Sequence, residues 1–150
     1  MRPSLLLVSV LLAACGSTPA PVDQSQVDPT KEAWYGDTLS QLVEINGRAQ
    51  DLFHKGNGDE ASALIQKGEP LSDRLLAVRH PTIAAMSAAA DLDELYGQML
   101  LSNHNYGWAR LFFQKNLARW RHWTPQTDDT ARRVREAAAE IAECDKHIGQ

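Results

Sequence analysis

Four side chains, Trp108, Lys115, Arg119 and His122, have types and spacing suited to binding chemistry on one surface of this 150-residue chain. At about 100° per residue they fall on one flank of a predicted helix, beside an apolar stripe of Ala109, Phe112, Phe113, Asn116, Trp120 and Trp123. An exposed aromatic ring next to cations fits peptides, or glycan chains bearing carboxylates. The surroundings are basic: residues 95–127 contain no Asp or Glu, whereas they include Arg110, Lys115, Arg119 and Arg121. Residues 23–94 hold 13 acids against 6 bases and residues 95–150 hold 6 against 8, which points to an anionic partner at one end or to oriented packing on a neighbour. The competing reading packs Trp108 on an adjacent hairpin and leaves the cations solvated.

Other candidates fall short of a reactive site. Cys144 and His147 share a helix face at i, i+3, and His104, His122, Met86 and Met99 add donors, but one Cys and one His leave a metal set incomplete. There is no Cys-x-x-Cys-His for covalent haem, so neither metal nor haem is expected. The acidic group Asp91, Asp93 and Glu94 reads as a solvated helix face, and the serines lack a nucleophile context. A non-catalytic protein is therefore expected. The net charge of −4 argues against nucleic acid as a partner. With 43% hydrophobic residues the chain can bury the core of one domain.

Cys15 is the residue whose context is most specific. Met1-Arg2 supplies a positive end, Leu5 to Leu12 an apolar segment broken only by Ser9, and Ala13-Ala14 small residues before a cut. That is the layout of a secretory signal peptide over residues 1–14, too short for the roughly 20 residues a membrane-spanning helix needs. Leu12-Ala13-Ala14-Cys15 resembles the bacterial lipobox. The resemblance implies diacylglyceryl transfer to the Cys15 thiol, cleavage before that residue and often acylation of the new amino group. Two or three acyl chains hold a protein stably at a membrane. Resemblance to Gram-negative lipoproteins, with Gly16 after the cysteine, further implies an outer-membrane protein facing the periplasm. The covalent lipid is the one non-protein group expected. Cys144, then without a disulfide partner, reads as a small core residue.

Residues 15–29 read as the lipidated cysteine and a tether, "GSTPAPVDQSQVDP", of about 20 Å typical reach. Residues 30–150 read as one helical domain. Tyr35, Leu39, Leu42, Val43, Ala49, Leu52 and Phe53 recur at helical spacing and predict a helix over 31–54, ended by "HKGNGD". A second pattern, from Ala61 to Leu76, keeps its phase across Gly68 and Pro70, where Pro70 is expected to kink or interrupt it. Pro81 opens a third helix over 81–102, "SNHNYG" is a turn, and a fourth helix covers 106–123. Thr124-Pro125 or Thr127-Asp128 caps a fifth over 126–147, with Val134, Ala137, Ala138, Ile141 and Cys144 as its stripe. No segment alternates like a strand, so an all-α fold of about five helices is expected.

Residues 93–117 resemble a tetratricopeptide repeat, through Gly97, Leu100, Tyr106, Ala109 and Phe113. In that arrangement Gly97 and Ala109 let two helices approach while Tyr106 and Phe113 fill the space between them. Asp93 stands where the family usually has Trp, and Arg121 where it usually has Pro. A fainter copy, Gly56, Ala61 and Ile65, lies 48 residues before His104, Ala109 and Phe113. The resemblance implies antiparallel hairpins, and proteins of this kind act through surface. Together these features predict a membrane-anchored protein-interaction module of the cell envelope. The alternative is a small-ligand or cell-wall-glycan binding domain using Trp108, Lys115, Arg119 and His122. An enclosed apolar pocket with converging polar groups would favour the alternative, and an open helical surface the interaction module.

Overall fold

The helices form where the apolar spacing places them, and local caps set their ends. The structure, a computed structural model, describes residues 28–149; the expected signal peptide, Cys15 and the tether through residue 27 lie outside the described residues. A short 3-10 turn, Pro29–Lys31, is capped by Asp28, whose carboxylate accepts from the Thr30 amide at 3.1 Å and hydroxyl at 2.7 Å. Five helices follow: α1 (Ala33–His54), α2 (Gly58–Leu76), α3 (Ile83–Ser102), α4 (Tyr106–His122) and α5 (Asp128–Ile148). The described residues contain no strand.

Threonine caps set the starts of α3 and α5. Thr82 caps α3, its hydroxyl accepting from the Ala85 amide at 3.2 Å, so Pro81 precedes the helix rather than opening it. Of the two candidate caps for α5, Thr127 is used: it and Thr130 exchange side-chain to backbone bonds of 3.2 and 2.8 Å. Pro70 lies inside α2 without ending it. Its ring is on the exposed side, where water can satisfy the freed Gln66 carbonyl, while Ile65, Gly68, Ser72 and Leu75 keep the opposite face buried.

The turns α1–α2 and α3–α4 are built alike. Gly56 and His104 both take left-handed φ values, 80° and 61°. The next residue is asparagine in each case; Asn57 donates to the Leu52 carbonyl at 2.9 Å and Asn105 to that of Leu100 at 2.8 Å. The following helices start alike too, with Ala61 donating to Asn57 and Ala109 to Asn105, both at 3.0 Å.

Short connections make neighbours antiparallel, so α1, α3 and α5 run the same way. Cross-helix bonds show one register: Asn46 with Ala88, Asp91 with Arg133, and Gln98 with Glu140 are each 42 residues apart. Helix α2 packs on α1 and α3, and α4 packs on α3 and α5. The larger core, including Leu42, Ile65, Leu75 and Leu92, joins α1, α2 and α3; a smaller one of Ala109, Phe113 and Cys144 joins α4 and α5.

Gly97 sets the α3–α4 distance, since a Cβ there would stand 2.6 Å from Cε1 of the fully buried Phe113. The expected pairing of a small residue with Phe113 is thus present. Tyr106 does not share that space: it is half-buried and stacks on His147 with ring centroids 4.3 Å apart, because the left-handed turn at His104 aims it toward α5. Gly97→Ala is expected to lower unfolding stability by about 1–3 kcal/mol through overpacking. Gly47→Ala, in α1 with nothing within 4 Å of the new methyl, should instead stabilise by up to about 1 kcal/mol. Urea unfolding of the two variants reads opposite signs, and equal signs would refute the close-approach account.

Candidate functional site

Helix α4 turns one stripe outward, carrying Trp108, Leu111, Lys115, Ala118 and His122. Trp108 is 64% exposed and lines a shallow cleft with Leu111 and Ile148, crossed by the Arg110–Asp145 ion pair at 2.6 Å. Lys115 and Arg119 are committed elsewhere. Both bind Asp93 of α3, Lys115 at 3.0 Å and Arg119 through the other carboxylate oxygen. Asp93 is buried, which corrects its reading as part of a solvated face: it lies one turn from Ala89 and Gly97, on the side of α3 that meets α4. Asn116 completes this junction by donating to the Ala90 carbonyl at 2.9 Å. His122 closes α4, its Nδ1 2.7 Å from the Ala118 carbonyl. The four predicted residues therefore divide: two cations hold helices together, while Trp108 and His122 stand toward opposite ends of α4.

Phe112 is half-buried, edge-on to Tyr96 at 4.8 Å. Trp120 is buried beneath the Arg133 guanidinium, 4.8 Å from its ring centre. Cys144 is fully buried, and burial pushes its thiol above the usual range, while His147 stacks on Tyr106, so the two do not converge. Among the described residues no three His, Cys, Asp or Glu are grouped to hold a metal ion.

The larger surface feature lies between α1 and α3. It is an open groove of about 610 Å³ with Val43, Asn46 and Gln50 on one side and Asp91, Glu94 and Gln98 on the other. Each set follows i, i+3, i+7, one helical face, and the sets are offset by the same 48 residues as the hairpin turns. Val43, expected in the buried face of α1, is 55% exposed here. Asn46 donates to the Ala88 carbonyl at 2.7 Å, while its Oδ1 is buried without a hydrogen-bond partner.

Gln98 donates to Glu94 at 3.3 Å and across to Glu140 of α5 at 3.4 Å. Among the described residues neither glutamate forms a salt bridge, whereas neighbouring Asp91 pairs with Arg133 at 2.8 Å and Glu136 with Arg132 at 2.7 Å. Burial raises the Glu94 carboxyl, with Asp91 adding repulsion. Burial, then the charge of Glu94, pushes Glu140 up to about 7. Sequence reasoning passed over this pair because its members sit on different helices. The readable signal was Asp91, Glu94 and Gln98 at i, i+3, i+7, with Glu140 bordering the Ala137–Ile141–Cys144 stripe.

No protein-family model matches this chain, nor does a curated protein or a solved structure.

Two outcomes follow from this geometry. Asp93→Ala leaves the largely buried Arg119 without its counter-charge and should cost about 3–5 kcal/mol, against at most about 1 kcal/mol for Lys115→Ala, whose side chain is half exposed; comparable losses in urea unfolding would contradict the assignment. Glu140 keeps in the folded chain a proton that the unfolded chain loses near its ordinary 4.5. Its contribution to stability therefore falls as pH rises from about 4.5 to about 7 and is level above. Melting temperatures at about pH 5 and about pH 8 should differ less in Glu140→Gln than in the wild type.

Proposed function

We propose that the protein is a membrane-anchored lipoprotein whose helical domain serves as a non-catalytic protein-interaction module of the cell envelope. The open α1–α3 groove carries this reading. It is a surface shared by two helices, with amides and carboxylates set along an apolar floor, and it suits an extended partner better than a small enclosed ligand. The glycan-binding alternative is weakened because Lys115 and Arg119 already share Asp93. The anchor rests on Leu12-Ala13-Ala14-Cys15, and no described helix is long and apolar enough to cross a membrane.

Cys15→Ser is expected to abolish incorporation of labelled fatty acid and release the chain from membranes; continued labelling would remove the anchor from the proposal. Cross-linked recovery of the lipidated protein from envelopes should bring down a protein partner. Recovery of cell-wall fragments alone would favour the ligand-binding alternative.

A further inference from the structure

We infer that the groove between α1 and α3 receives a basic peptide segment, with a Lys or Arg side chain of the partner set against Glu94 on the groove wall and reaching toward Glu140 beside Gln98. This rests on the interaction-module reading and adds to it the place and the chemistry of the partner.

Charge complementarity is the first argument. Asp91 and Glu136 pair with Arg133 and Arg132, whereas Glu94 on the groove wall and Glu140 of α5, just outside it, share the Gln98 amide; the two arginines act on Glu94 only at longer range and form no salt bridge with it. Desolvated like charges favour an approaching cation and disfavour an acidic one. The rest of the groove says why that cation belongs to a peptide. Ala84, Ala88 and Leu95 make an apolar floor, with Val43 on the wall beside it, suited to the methylene stem of Lys or Arg. The side-chain amide of Gln50 and the Gln98 side-chain carbonyl, whose amide donors serve Glu94 and Glu140, can meet a main chain, and Asn46 Oδ1 is a buried acceptor without a partner that a rotation of the side chain would present to a peptide N–H. From Asp91 to Gln98 the wall runs about 10 Å, the length of about three extended residues. A volume of about 610 Å³ holds a segment of that size.

The test uses the detergent-solubilised full chain and fluorescent peptides of about seven residues, alanine-based, with either two lysines or two glutamates. The lysine peptide should bind and lose affinity with salt, and the glutamate peptide should not bind. Glu94→Gln with Glu140→Gln should weaken lysine-peptide binding about tenfold or more, while Glu60→Gln with Glu69→Gln, an equal charge change on exposed positions of α2, should leave it unchanged. The groove variant removes like-charge repulsion, so its melting temperature should not fall, and lost binding cannot then be assigned to unfolding. Failure of the lysine peptide to bind, or equal weakening by both double variants, overturns the inference. Recovery of the same envelope protein by wild type and groove variant would overturn it while leaving the interaction module standing, and recovery of none by either would remove both.

Discussion

The Asp93 carboxylate is the constraint on which the second half of the domain depends. It stands on the buried side of α3, and the two cations that neutralise it come one turn apart from α4. A buried charge must be matched in place, so the pairing selects one rotation and one height of α4 against α3. Asn116, bonded to the Ala90 carbonyl, repeats that selection with a neutral group. The alanines of α3 leave room for it, because their short side chains let α4 come near enough for an amide to reach the backbone. Once α4 is fixed, α5 follows through the Ala109–Phe113–Cys144 cluster and the Arg133–Trp120 contact, and Glu140 arrives beside Gln98.

The hairpin turns and the groove express one regularity. Gly56 and His104 close equivalent turns, and residues 48 apart hold equivalent positions on α1 and α3, both sets lining the groove although the helices meet in a register of 42. The chemistry has diverged within the shared geometry: Val43 and Asn46 on one side correspond to Asp91 and Glu94 on the other. A single scaffold thus offers an apolar and amide wall opposite an acidic one. His104 occupies a left-handed position that glycine fills in the earlier turn, and its ring reaches Tyr106 at 2.7 Å, which offsets part of the backbone cost.

Much of the fold was legible because burial imposes a period. The apolar spacing located five helices, and Gly97 with Phe113 announced a close crossing. Periodicity reads which side of a helix is apolar, and it fails where a polar residue belongs to the buried side. Asp93 looked solvated beside Asp91 and Glu94, although its place one turn from Ala89 and Gly97 put it toward α4. Pro70 looked like a break, because the sequence does not say that its ring faces solvent. The flank of Trp108, Lys115, Arg119 and His122 shared an angle on the helix, but an angle does not reveal that a carboxylate on the next helix has claimed two of its members. The groove was hidden for a related reason: it belongs to two helices distant in sequence, and Val43 counted as core until its neighbours were known.

The common direction of α1, α3 and α5 has a mechanical meaning. Helix α1 packs on both α2 and α3, and it begins at the end of the domain where α3 and α5 begin too. A pull along the axis of α1 meets the packing of that helix on two neighbours at once. It stresses the α1 interfaces in shear, with many contacts sharing the force, instead of peeling a hairpin open one turn at a time. Axial tension on α1 is thus spread over two interfaces.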